Sequence, residues 1–410
     1  MKISKESITS FIILFFCPVL AAVISLANIT VKNLKLTINV FSVMVFFVTL
    51  RIPPFQDLYR RYVDSYYIYT ANTTLADALS GKIDYLFYFN SWFFYKTGMP
   101  FYLIPAGYAA LSTYMILSSA YDMWKADNQK YTKLTLIVAF LSVFSFVDFI
   151  MIASTLRFGF AVALTIKALS FIYVRKKSFV GILLLLVAIS CHVSMLIVVV
   201  SIVLNKFIKV STLNCFILSV IAYLGSAYIV PYLLGTINLW GLSQYINNGY
   251  IQSDYASVTT NINTLIVQSY KWILLLLFFC YFCCNKKIWP AYENHLKLLI
   301  IICSCSAISA TILNRYFIGL VLPIIVIAAQ GALSNINKKG LFQLFSIIVI
   351  IVNISFVNIY LERRQILLGK LWYGLFTPPA FSLMYNMEGF NSYLIEIDED
   401  GNWIKNKVAE

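Results

Sequence analysis

The chain has 410 residues, 60% of them hydrophobic and 12% charged, with a mean hydropathy of +0.81. A soluble domain carries about 25% charged and about 45–50% apolar residues, so this composition excludes an ordinary soluble fold and predicts an all-α polytopic integral membrane protein. The formal charge of +14 lies in short Lys and Arg clusters between apolar runs, which speaks of topology and membrane lipid and against nucleic acid.

Apolar runs recur from end to end and predict about 11 transmembrane helices (range about 10–13) in a single polytopic membrane domain, 1–410. The first run, 8–28, is too long for a signal-peptide core and lacks a small-residue cleavage site, so a retained helix is expected. A second run, 34–50, ends at Arg51 before Pro53 and Pro54. A polar loop over 51–83 follows, and then an aromatic stretch, 84–98, that reads as a partial span or an interfacial helix. Spans are expected over 99–120, 134–152, 157–174, 179–204 and 213–234, with a polar loop at 235–264. Further spans are expected over 265–284, 296–312, 316–333 and 341–360. A second short aromatic stretch, 366–385, leads to an acidic end from Glu396 to Asp400.

The basic clusters orient these spans. Lys32 and Lys35, then Lys125, Lys130 and Lys133, then Arg175, Lys176 and Lys177 belong on the inside. The N-terminus, loop 51–83 and the turn at Arg157 are then outside. Lys286 with Lys287, and Lys338 with Lys339, place loop 235–264 and a turn at Arg315 outside as well. A single span over 179–204 would put Lys206 and Lys209 outside. A break near His192, making a re-entrant pair, restores the pattern and suits a loop 235–264 that holds no Lys or Arg.

On this topology Arg51, Asp57, Arg60, Arg61, Arg157 and Arg315 share the outer face. Arginine presents a fixed fork of donors that matches phosphate, so the cluster points to an anionic ligand such as a lipid diphosphate. The alternative is a set of snorkelling boundary residues. Asp148 stands upstream of Arg157 in the same apolar stretch. Tyr59, Tyr62, Tyr66, Tyr67 and Tyr69 surround Asp57 and Asp64, and tyrosine serves either as a sugar-stacking platform or as an interfacial anchor. His192 is either a core histidine bonded to a carbonyl, or a proton acceptor or phosphate donor. In loop 235–264 the amides lie beside Trp240, Tyr245, Tyr250 and Tyr255, which suits neutral glycan and equally a solvated loop. Few charges fall within the apolar runs on the inner side.

The eight cysteines lie in or beside apolar runs and read as small hydrophobes; Cys280 and Cys283 lack a nearby polar ligand to complete a metal or redox site. No G-x-x-x-x-G-K-[ST], H-E-x-x-H or G-x-S-x-G motif occurs, which excludes common nucleotide and zinc chemistry. No metal site and no cofactor is expected.

Five short motifs stand in order along the chain: Arg51 with Asp57, Tyr59 and Tyr62; Asp84-Tyr85-Leu86-Phe87-Tyr88; Arg157 with Ala161; the basic triplet Arg175 to Lys177 followed by His192-Val193-Ser194; and Arg315-Tyr316-Phe317. Together they resemble the Wzy-type polysaccharide polymerases, most closely the EpsG-like branch. The resemblance covers about residues 50 to 320. Phe55 and Gln56 replace the usual glycine and threonine before the first acid, and Asp84 replaces a glutamate.

The resemblance implies a polymerase of the bacterial inner membrane, for O-antigen or a similar polysaccharide, acting on the periplasmic side. It would move a growing glycan from undecaprenyl diphosphate onto a lipid-linked repeat unit, as in lipopolysaccharide biosynthesis, without metal. Arg157 and Arg315 would stabilise the leaving diphosphate, and His192 or Asp57 would accept the proton of the attacking hydroxyl. Arg51, Tyr59, Arg60, Tyr62, Asp84, Trp240 and Tyr250 would bind substrate. The implied partners are undecaprenyl-diphosphate-linked oligosaccharides, membrane lipid and a chain-length regulator. A flippase for the same lipid-linked sugars is the alternative from another class, and a membrane acyltransferase a third.

Overall fold

Helix boundaries in this chain are set by proline, by short polar caps and by close backbone contacts. The computed structural model describes residues 5–126, 131–236, 262–284, 289–331, 339–361, 371–402 and 404. Among them no strand forms. Five helices are long and apolar enough to cross a membrane: Leu103–Ala126, Leu156–Val174, Thr212–Tyr232, Leu265–Cys283 and Ala310–Gly331. Six shorter apolar helices accompany them: Pro18–Ala27, Leu34–Thr49, Lys133–Ser145, Ser178–Cys191, Val193–Phe207 and Gly340–Ser355. The chain forms two compact units, 1–193 with 338–410, and 194–337.

In the first unit the run expected as one helix over 8–28 is two, α1 (Lys5–Leu14) and α2 (Pro18–Ala27). Pro18 has no N–H to continue the upstream ladder, and it opens α2 where none is needed. α3 (Leu34–Thr49) then leads to three short helices, α4 (Asp57–Val63), α5 (Leu75–Leu79) and α6 (Tyr85–Lys96). A capping box of Thr74 and Asp77 starts α5. α7 (Leu103–Ala126) packs along α3 and α10. After α8 (Lys133–Ser145) comes one short turn, α9 (Phe149–Ala153), whose Met151 N–H donates to Asp148 Oδ1 at 3.1 Å. Asp148 is thus a local cap.

α10 (Leu156–Leu169) continues through a wide π turn, Ser170–Val174. Its apolar window is 78% buried, which makes it the central helix of the unit. Gly159 lets it sit against α9, because a Cβ there would lie 2.1 Å from the Met151 carbonyl oxygen. Tyr108 of α7 stacks on Phe160 with ring centres 4.3 Å apart. α11 (Ser178–Cys191) packs on α10 and α6.

One feature of this packing is a charged cluster that includes Lys167, inside an expected apolar run. Asp122 of α7 is buried, with Lys167 Nζ at 2.9 Å, Arg175 Nη2 at 2.5 Å and Ser170 Oγ at 2.8 Å. The partners come from α10 and its π turn, so the cluster ties two helices far apart in sequence.

In the second unit, α12 (Leu196–Phe207) and α13 (Thr212–Thr236) both pack on the helix Pro290–Ser304. Val210, Cys215 and Leu298 form its small core. Glu293 and Lys297 are buried one turn apart on that helix at 2.6 Å, and His295 lies 3.4 Å from Ser201 Oγ. The sequence places a turn at Arg315, but the chain breaks earlier, in a 3-10 turn over Cys305–Ile308. Ser309 Oγ accepts the Ile312 N–H and starts the next helix there. Arg315 is therefore inside the helix Ala310–Gly331, at the start of its π segment.

Candidate functional site

Arg157 stands in the first turn of α10, where the unpaired N–H groups and the helix dipole favour negative charge. Asp84, just before α6, faces it: Arg157 Nη1 lies 2.6 Å from Asp84 Oδ2. The other carboxylate oxygen, Oδ1, accepts the backbone N–H of Val193 at 3.3 Å. One buried carboxylate thus holds an arginine with one oxygen and the chain just after His192 with the other.

His192 occupies the break itself. Its N–H closes α11 onto the Ala188 carbonyl at 2.9 Å, and its own backbone is extended, with φ −154 and ψ 115. The imidazole packs edge-on against Phe158, the residue after Arg157, with ring centres 5.4 Å apart. Cys191 donates its S–H to the Arg157 carbonyl at 3.2 Å. Three motifs read separately along the sequence, those of Asp84, Arg157 and His192, therefore meet in one place. The expected break near His192 is present.

A second arginine lies beside this group. Arg61 of α4 bonds Asp64 Oδ2 at 2.5 Å and the Tyr88 hydroxyl at 2.8 Å, and its Nε is 3.4 Å from Asp57 Oδ1. Tyr88 donates its O–H to the same Asp64 oxygen at 3.0 Å. Arg61 and Tyr88 both feel the charge of Arg157. Arg61 belongs to the expected arginine cluster, whereas Asp64 and Tyr88 carry no expected role in substrate binding. The signal for Asp64 was present, since Asp57, Arg61 and Asp64 fall on one face of a helix at spacings of four and three.

The other expected residues are distributed as follows. Asp57 opens α4 against Arg61, while Tyr59 and Arg60 are half-buried on the same helix. Tyr62 is buried, packed on Tyr66, Phe101 and Phe390, with its O–H donated to Asn391 Oδ1 at 2.8 Å. Burial pushes its phenol up to about 12, and that of Tyr69 likewise to about 12. Arg51 stands at the end of α3 between the rings of Tyr373 and Tyr385. Arg315 belongs to the second unit, where Trp272 bonds Asn314 Oδ1 at 3.0 Å and packs on Phe317. Trp240 and Tyr250 lie outside the described residues, as does most of loop 235–264. Among the described residues no group of three or more His, Cys, Asp or Glu side chains is arranged to hold a metal ion.

The arrangement presents cationic forks, already oriented by carboxylates, next to an imidazole. Guanidinium groups fixed in this way are suited to bind phosphate oxygens without first losing side-chain freedom. The His192 ring is 7% exposed, so a hydroxyl reaching it would be largely shielded from water.

Neither a curated protein nor a solved structure matches the chain. Residues 34–371 match the model of the EpsG family, a stretch that holds Asp84, Arg157, His192 and Arg315, and the chain belongs to that family.

Proposed function

We propose that this protein polymerises a lipid-linked polysaccharide repeat on the outer face of a bacterial inner membrane. Family membership suggests a membrane polysaccharide polymerase-like role. The observation that carries the finer reading is the meeting of Asp84, Arg157 and the His192 break at one carboxylate. On this reading the shorter apolar helices complete about 11 spans.

In the reaction, the bond between the anomeric carbon of the growing glycan and undecaprenyl diphosphate breaks. A bond to a hydroxyl oxygen of the incoming repeat forms in its place. Negative charge grows on the departing diphosphate, and Arg157 takes it up. The hydroxyl proton passes to His192 or Asp57. Of the two, His192 better fits a base, because Asp57 already faces Arg61. Arginine supplies the positive charge, so no metal is required.

A flippase for the same lipid-linked sugar is the second reading, and the buried Asp122 and Lys167 favour it by placing charge among the helices. Gene deletion separates the two. Under the polymerase reading, deleted cells still display a single repeat on their lipid A core, because translocation and ligation continue. Repeats trapped on the inner leaflet, with none displayed, would select the flippase. Metal independence has its own test: polymerisation by purified protein in detergent should survive EDTA, and activity lost to EDTA and restored by Mg²⁺ or Mn²⁺ would refute the arginine-only account.

A further inference from the structure

The matched family region stops at residue 371, yet the chain after it is built closely onto the short helices of the first unit. Gly374 sits where a Cβ would lie 2.2 Å from the Phe47 carbonyl oxygen, so this segment lies directly on α3. The Gln56 N–H donates to Gly401 O at 2.7 Å, in a turn where Gln56 takes a φ of 49. Tyr62 donates to Asn391, and Tyr102 donates to the carbonyl of Tyr385. Four contacts across more than two hundred residues of sequence fix residues 371–402 in place.

What they enclose is Arg51. Its guanidinium carbon is 5.1 Å from the ring centre of Tyr373 and 5.3 Å from that of Tyr385. The rings offset part of the cation's charge. The hydrogen-bonding groups are less well served. Arg51 Nε and Tyr385 O–H are buried with no hydrogen-bond partner, and so is Ser382 Oγ, three residues before Tyr385. Asp398, an acid of the same segment, has Oδ1 engaged by the N–H groups of Asp400 and Asn402, at 3.0 and 2.7 Å. A guanidinium N–H can only donate, and a buried donor left unpaired costs stability. Among the described residues no carboxylate hydrogen-bonds Arg51 Nε, and the hydroxyls of Tyr385 and Ser382 carry no charge to match it. Tyr373 is 50% exposed, which leaves a way in.

We propose that Arg51, Tyr373 and Tyr385 form an oxyanion subsite, closed by the C-terminal segment, that takes a phosphate or carboxylate oxygen of the substrate. That the substrate is a lipid-linked glycan rests on the polymerase reading. The oxygen accepts from Arg51 Nε and from the Tyr385 hydroxyl. Arg51 lies within the matched region and the segment that closes over it lies past that region, so the two parts of the subsite come from opposite ends of the unit.

The test uses the full chain in lipid nanodiscs and isothermal titration with three probes: farnesyl diphosphate, glucuronate and uncharged glucose. Binding of the diphosphate, weakened about tenfold or more by Arg51→Gln and by Tyr385→Phe, supports the subsite and gives the lipid headgroup as its source. The same pattern with glucuronate supports it and gives an acidic sugar as the source. Tyr385→Phe keeps the ring over Arg51 and removes an unpaired hydroxyl, so the ligand-free variant should melt no lower than wild type. Absence of anion binding, equal binding of glucose, or variants that bind anions like wild type overturns the proposal. Binding to the subsite needs no turnover, so these results are independent of the deletion phenotype that tests the polymerase reading.

Discussion

Asp84 does two jobs with one carboxylate, and its neighbours show what each job needs. Toward Arg157 it supplies a counter-charge in a place where an unpaired guanidinium would be costly. Toward Val193 it satisfies a backbone N–H left open at the start of the 3-10 turn Val193–Met195. A boundary arginine would need only a long cationic side chain, whereas an arginine that splits its fork between a carboxylate and a phosphate needs both planar arms. Arg157→Lys is therefore expected to keep normal protein levels in the membrane and to lower long-chain polymer roughly tenfold or more, a loss of one charge-assisted contact or two. Quantifying polymer on gels at matched expression checks this, and near wild-type polymer would return Arg157 to a boundary role. The sequence made these residues legible because each carries its own short motif. It did not reveal Asp148 as a cap, since a lone acid near an arginine looks the same whether it serves a ligand or a backbone N–H.

The short helices α4 to α6, with the C-terminal segment, depend on tyrosines whose rings are buried. A phenol buried in this way resists ionisation, and Tyr62 and Tyr69 are both pushed up to about 12 from an unfolded value of about 10. The sign follows directly. Below pH 10 both states are protonated and the packing contributes fully; as pH rises from 10 toward 12 the unfolded form ionises first and stability is lost. Near-ultraviolet circular dichroism should thus hold steady to about pH 10 and then fall, with tyrosinate absorbance appearing together with the loss. Tyrosinate forming at pH 10 with the signal intact would mean that these rings are open to solvent. At this scale legibility was uneven. Pro18 is a plain stop signal, but the length of the apolar run outweighed it. The break over Cys305–Ile308 carries no Gly or Pro, and its small residues read as membrane. The docking of Asn391 on Tyr62 spans 329 residues, and no local pattern announces such a contact.

For the molecule as a whole, orientation is what labelling can establish. Ala76 and Ser178 are both exposed and lie on opposite sides by the charge rule. In a background with the native thiols replaced, Ala76→Cys should react with an impermeant thiol reagent in intact spheroplasts, and Ser178→Cys only after permeabilisation. The reverse pattern would invert the first unit and move Arg157 to the cytoplasm. The re-entrant pair is expected from helix length. α11 has 14 residues and α12 has 12, about 21 and 18 Å of helix, and neither alone spans a core of about 30 Å.

The buried Asp122 cluster bears on how such a chain enters its membrane at all. On insertion scales a charge at a helix centre costs roughly 2.5–3.5 kcal/mol and less toward an end; Asp122 stands one turn before the end of α7 and is made before Lys167 and Arg175. Lys167 follows 45 residues later, which at about 5–20 residues per second is several seconds of synthesis. During that time α7 must be held at the insertion machinery or at the lipid boundary, and α10 then brings Lys167 and Arg175 to release it. The two helices are one unit of biogenesis, so the loss of Lys167 would be an assembly lesion before it was anything else.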